Sequence, residues 1–407
     1  MTKLFPILLA AAALAPAPAQ TENSRLLFTQ VEPILENLSD ITGMKIRRKV
    51  PSGYITRENL NGFLNERVKK EVKPEDIRIE TLVLRMFGFI PEDYDLKKAV
   101  VDLITEQAAA FYDYDKKKLY ITESDSSFLE KRAALVHELA HALADQNFSL
   151  GKYLRKGAKN DDAAAAREAV AEGQATWLMW GYASKVGGGE AAVPDYILET
   201  MTGAGATDTS AYPVLANAPL YLRQSLLFPY TAGLKFTNEL VKKQGKEAFQ
   251  TVYRRPPVST QQILHPERYL EAQNPANPAL PKLADEKKYR GLAQGELGEL
   301  DFHVLLEQYA GKEAADRIAP HWAGGKFRLY ELKQGRKPVL MFTVQWDSAS
   351  TAREFFEAYR EILEKKSKGF AMGTSAEDQM EGSVADGKFQ VQLKGSVVTS
   401  IEGATLN

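Results

Sequence analysis

Residues 136–143 read Val-His-Glu-Leu-Ala-His-Ala-Leu, and the spacing of their polar side chains is that of a metal site with a base beside it. His137 and His141 are four apart, so on a helix both imidazoles leave one face a turn apart and can grip one ion. Glu138 then stands next to the ion's open position. There it can take a proton from a water that zinc has acidified toward neutrality. The chain has only five histidines in 407 residues, which makes a chance HExxH match rare.

A hydrolytic zinc needs a third protein ligand and one open position. The chain has no cysteine, so disulfides and thiolate sites are excluded and the third ligand is His, Asp or Glu. The run Arg167-Glu168-Ala169-Val170-Ala171-Glu172-Gly173-Gln174-Ala175-Thr176 offers two carboxylates. Glu172 lies 31 residues after His141, far enough for a second helix to return beside the first, and Gly173 and Ala175 are small enough to let those helices approach. Glu168 is one turn earlier on the same face. One of the two can bind the metal while the other accepts the second N–H of a ligand histidine.

The remaining polar candidates are more open. His265 precedes Pro266 and so sits in extended backbone; it reads either as a hydrogen-bond donor to a developing oxyanion or as a structural histidine in a tight turn. Tyr230 is a weaker candidate for the same donor role, most tyrosines at such junctions being core residues. Asp145 reads as a helix-end residue, and His303 and His321, without ligand spacing, as structural or surface residues.

Local sequence supplies the elements that would hold these groups. Ser127-Phe128-Leu129-Glu130 reads as a capping box, and Leu135, Val136, Leu139, Ala140 and Leu143 make the helix after it apolar. A second helix is expected from Asp162 to Ser184. Residues 107–122 read as a β-hairpin turning at Asp115-Lys116, whose edge strand could receive an extended peptide above the metal. Upstream, helices are expected from Leu26 to Leu38, Thr56 to Lys70 and Ile77 to Phe87. Residues 186–227 read as a long loop over the cleft, followed by a helix opening at Phe228-Pro229 and ending at Gly245.

Composition sets the frame. A net charge of −1, without basic blocks, argues against nucleic acid as a partner. Residues 1–19 follow signal-peptide grammar, with Lys3, an apolar run from Leu4 to Leu14 and Ala17-Pro18-Ala19 before the cut. No later stretch is long and apolar enough for a membrane helix. The expected organisation is a signal peptide (1–19), a helical N-terminal region (20–105), a catalytic unit (106–272), a proline-rich linker (273–294, with Asn274-Pro275-Ala276-Asn277-Pro278) and a C-terminal α+β domain (295–407). In that last unit helices 298–309, 313–319 and 350–365 and strands 326–332, 339–346, 389–393 and 397–401 are expected.

With His137-Glu138-xx-His141 and Glu172-Gly173-Gln174-Ala175 in view, the chain resembles the zincin metallopeptidases of the gluzincin type, in which HExxH is followed by a glutamate on a second helix. The Glu-Gly-x-Ala form is similar to the third-ligand segment of membrane-alanyl-type aminopeptidases. Phe111-Tyr112-Asp113, Glu-Gly-x-Ala-Thr and Ser259-Thr260-Gln261-Gln262-Ile263-Leu264-His265-Pro266-Glu267 together resemble exported bacterial zincin-like proteins. The gap from His141 to Glu172 exceeds the thermolysin and aminopeptidase spacings, so the ligand transfer rests on local sequence. The Gly-x-Met-Glu-Asn segment that holds a free N-terminus in those aminopeptidases is absent from this sequence, which favours an endopeptidase.

The resemblance implies an α+β, mainly α chain with a zincin-like metallopeptidase domain and a C-terminal α+β domain. It implies Zn2+ held by His137, His141 and Glu172, Glu138 as general base, Glu168 behind the ligands, and His265 at the oxyanion. The substrate would be a peptide or protein, met in the periplasm or outside the cell. The alternatives are an inactive, zinc-stabilised binding or scaffold protein, or a zinc hydrolase of a non-peptide amide or ester. Glu138 argues against the first, since a structural zinc has no use for a base.

Overall fold

The computed structural model describes residues 22–71, 73–107, 110–123, 127–157, 160–202 and 212–404; the expected signal segment lies outside them. The chain is mixed α+β and 58% helical. Its N-terminal part runs α1 (Glu22–Thr29), α2 (Val31–Thr42), β1 (Ser52–Ile55), α3 (Arg57–Glu71), α4 (Pro74–Phe87) and α5 (Leu96–Gln107). The expected helix from Leu26 to Leu38 is thus two, broken at Gln30, and β1 falls between the expected helices, where the sequence announces no strand. Four residues containing a glycine have no alternation to announce a strand. They become one by pairing in parallel with β3.

The middle part opens with the hairpin β2 (Ala110–Asp113) and β3 (Lys118–Thr122), turning where expected. The small sheet has the order β1-β3-β2, which leaves β2 at an edge. Then come α6 (Phe128–Phe148), α7 (Leu150–Gly157), α8 (Asp161–Val186), α9 (Asp195–Thr202), α10 (Pro213–Ala216), α11 (Leu220–Gln244), α12 (Ala248–Arg254), α13 (Thr260–Leu264) and α14 (Pro266–Leu270). The loop expected over 186–227 is therefore largely helical where it is described. Helix α11 starts eight residues before Phe228-Pro229, because Tyr221, Leu222 and Leu226 are buried and keep those turns helical ahead of the proline.

Helix α6 begins at the capping box expected for it: the Ser127 hydroxyl accepts the Glu130 N–H, and the Glu130 carboxylate accepts the Ser127 N–H. Helix α8 starts on Asn160, whose side chain accepts the Ala163 N–H at 2.9 Å, and packs between α6 and α11. Trp177, 2% exposed, donates its indole N–H to Asn238 on α11. Gly173 lets α8 and α11 touch, for a Cβ there would overlap the Gly233 backbone, and one at Gly233 would overlap Ala169. This corrects the expectation that Gly173 serves the approach to the HExxH helix: the close approach it permits is to α11.

The C-terminal part consists of β4 (Tyr289–Glu296), α15 (Glu299–Ala310), α16 (Lys312–Ile318), β5 (Trp322–Leu332), β6 (Pro338–Trp346), α17 (Ala349–Lys366), β7 (Ala371–Ser375), β8 (Gln379–Val384), β9 (Gly387–Lys394) and β10 (Val397–Ala404). Every helix and strand expected here is present. Strand β4 lies inside the segment read as linker, and β7 and β8, mostly exposed or half-buried, had no hydrophobic alternation to show them. All seven strands form one antiparallel sheet, β4-β5-β6-β10-β9-β8-β7.

Two large cores cut across chain order. One gathers residues of α3, α4 and α5 with the large sheet, α15 and α17. The other gathers α1 and α2 with the hairpin, α6, α8 and α11. The residues of the N-terminal region divide between these two.

Candidate metal centre

Helices α6 and α8 bring three side chains to one point. His137 Nε2 lies 3.0 Å from Glu172 Oε2, His141 Nε2 lies 3.4 Å from Glu172 Oε1, and the two imidazole nitrogens are 3.2 Å apart. The rings stand at 79° to each other, so their nitrogens converge on a point instead of stacking. His141 is buried, while 14% of the His137 side chain is exposed; the cluster therefore has an open side. Glu138 joins the two histidines in a group able to hold a metal ion.

Two carboxyl groups of the site, Glu138 on α6 and Glu172 on α8, are driven opposite ways. Burial opposes ionisation of Glu172, but the charges and hydrogen bonds of His141 and His137 outweigh it and hold this carboxyl well below the usual range. Glu138 is pushed up to about 8, by burial first and then by the Glu172 charge, against the pull of His137. A cation at the site would lower it again. Glu138 Oε2 also accepts the backbone N–H of Tyr112 at 2.7 Å, so edge strand β2 lies directly against the base.

Tyr112 is held in turn by Asp145, one turn beyond His141. The Asp145 carboxylate accepts the Tyr112 hydroxyl at 3.0 Å, Lys117 Nζ at 2.8 Å and Arg48 at 2.8 Å. Asp145 is 3% exposed; it lies in the last turn of α6, as expected, where its carbonyl accepts the Ser149 N–H, and its side chain also fastens the hairpin to the helix. Sequence reasoning passed over Tyr112 because its contact to Glu138 is made by a backbone amide, which any residue but proline supplies.

Of the other candidates, Tyr230 is at the site and His265 is not among its contacts. The Tyr230 ring stacks on His137 with centroids 6.2 Å apart. Burial, then the charges of Glu172 and Glu138 and a hydrogen bond to Glu172, hold its phenol protonated far above its ordinary value. His265 instead places Nε2 2.8 Å from Glu299, with Glu267 at 3.7 Å from Nδ1. Glu168 is pushed up to about 8 by burial and the Glu172 charge, and among the described residues no hydrogen bond joins it to an imidazole. His303 and His321 pair with Asp316 and Asp347, as structural or surface residues would.

Residues 287–407 match the model of a family described as Domain of unknown function (DUF8575). The match begins two residues before β4 and takes in the whole large sheet. No curated protein and no solved structure matches the chain.

Proposed function

We infer that the chain is a zinc-dependent metallopeptidase of the gluzincin type. One observation carries this reading. Ligand atoms around a tetrahedral zinc with bonds of about 2.0–2.1 Å stand roughly 3.3 Å apart; the Nε2 atoms of His137 and His141 are 3.2 Å apart, and Glu172 brings Oε2 to 3.0 Å from the first and Oε1 to 3.4 Å from the second. Two imidazoles and a carboxylate also suit zinc chemically. Zinc bound there would acidify a water and polarise a carbonyl.

The protein's own groups supply the rest. Glu138 takes the proton of the attacking water and delivers it to the leaving amine, while the Tyr112 N–H holds its carboxylate in place. Tyr230, kept protonated, is the donor available to a developing oxyanion, which moves that role from His265 to α11. An extended peptide can pair with the β2 edge, which favours cleavage within chains. Export rests on the composition of residues 1–19; among the described residues no helix is long and apolar enough to cross a membrane.

The test is hydrolysis of an unfolded protein mixture by the zinc-loaded chain beside Glu138→Gln, read by mass spectrometry of new termini. Cleavage by the wild type alone supports the reading. Bound zinc without cleavage in either would favour a zinc-stabilised binding protein, and ester or amide turnover without proteolysis would favour a non-peptide hydrolase.

A further inference from the structure

The start of α8 holds a second group of carboxylates, on the same helix as Glu172 and beginning about three turns before it. A cavity of about 30 Å³ lies between α8, α11, α13 and α15, lined by Asp161, Asp162, Glu168, Ser225, Thr260 and Asp301 among others. That volume exceeds the roughly 10–15 Å³ that one water needs, enough for a single small ion. Four lining residues are acidic and none is Lys, Arg or His.

Two observations point to a ligand. Asp162 is 2% exposed; its Oδ1 accepts the Thr260 N–H at 2.9 Å, but its Oδ2 is buried and has no partner among the described residues. Buried charges are otherwise paired or bound to metal. On the facing helix, Pro229, which also lines the cavity, lies inside α11. It has no N–H to give the carbonyl of Ser225 four residues earlier, so that helical bond is missing beside the same space.

The surroundings are built to admit the Asp162 carboxylate. A Cβ at Gly298 would overlap it, and Asp301 is held in place by the Gly298 N–H at 2.8 Å and the Tyr221 hydroxyl at 3.1 Å. We propose that this cavity binds one hard divalent cation, calcium or magnesium, with Asp162 Oδ2 as its anchor and the hydroxyl and backbone carbonyl of Ser225 beside it. The donors are all oxygen, which selects hard cations over zinc. Such an ion ties the start of α8 to α11 and to the C-terminal unit at α15. Burial raises the Asp162 carboxyl to about 8 and that of Asp301 to about 6, a penalty the ion would relieve. None of these ligands is shared with the zinc triangle, so the inference stands or falls apart from the proposed activity.

The zinc-loaded full chain, dialysed against calcium or magnesium separately, is read by elemental analysis and thermal midpoint. The wild type should keep one equivalent of hard cation and melt higher with it. Asp162→Asn should bind at least about tenfold more weakly and lose the midpoint shift, with zinc content unchanged. His141→Ala should lose zinc yet keep the calcium or magnesium response. If Asp162→Asn does not fold, Ser225→Ala decides, by the same weakening. A wild type that keeps neither cation, or Asp162→Asn and Ser225→Ala proteins that respond as the wild type does, would overturn the proposal and leave a water over a protonated Asp162.

Discussion

Glu172 and Asp162 stand ten residues apart on α8, both more than nine-tenths buried, and their carboxyl groups are driven in opposite directions. Glu172 faces two imidazoles, and their attraction overrides burial. Asp162 faces Thr260, Asp301 and Glu296, with no cation among them, and burial wins. Without bound ions, one helix thus carries an ionised carboxylate near its middle and a protonated one at its start. Both are deeply buried carboxylic acids; what drives them apart is their partners.

The sharpest way to break that contrast is to remove the imidazoles. His141→Ala leaves Glu172 in the position of Asp162, buried without enough cationic support, and zinc content should fall from one equivalent per chain to a small fraction, measured by elemental analysis after dialysis. Glu138→Gln should leave zinc in place and lower turnover by on the order of 10²–10⁴-fold. Equal zinc loss in the two variants would contradict the separate roles of ligand and base.

Next in size is Gly173→Ala. The added carbon would overlap the Gly233 backbone, where no side-chain rotamer can give way, so α8 must move off α11. A loss of at least about 3 kcal/mol is expected, read by urea denaturation, together with weaker zinc binding because Glu172 is the neighbouring residue. A stable variant with full zinc affinity would show that the contact does not position the ligand.

A third test uses pH. Asp162 holds its proton to about 8 in the folded chain, against an ordinary value of 3.8. Between those values the unfolded chain has released more protons than the folded one, so stability of the metal-stripped protein should fall as pH rises through this window. The contribution is on the order of 3 kcal/mol, and Asp162→Asn should flatten the slope of urea stability between pH 5 and 8. An unchanged slope would mean that Asp162 is already paired.

The smallest effect is expected at His265. His265→Gln keeps a donor for Glu299 and touches neither end of α8, so zinc content should be unchanged and turnover should change by less than about threefold. A hundredfold loss of turnover with zinc retained would return the oxyanion role to His265 and remove it from Tyr230.

Much of this arrangement was legible in the sequence. The Ser127 and Glu130 cap, the hairpin turn at Asp115-Lys116 and both long helices of the site are patterns within one element, where the i, i+3 and i+4 geometry of a helix or the pairing of adjacent strands decides the outcome. Strands β1 and β4 were not legible, because each is a strand only through a partner far along the chain. Helix α11 was misjudged at its start because Pro229 is a strong local signal, and the burial of Tyr221, Leu222 and Leu226 overrides it.

The sequence by itself determined that His137, Glu138 and His141 share one helix at this spacing and that no cysteine is present, since these depend only on residue types and on spacing within a single helix. Which glutamate closes the triangle was left open, and so was the place of His265. Those were decided by the rotation of α8 about its own axis, which turns Glu172 toward α6 and Gly173 toward α11, and by the parts of the fold that meet there. The Tyr112 amide against Glu138 and the cavity beside Asp162 belong to the tertiary structure alone: both depend on backbone groups and empty space, which no side-chain pattern encodes.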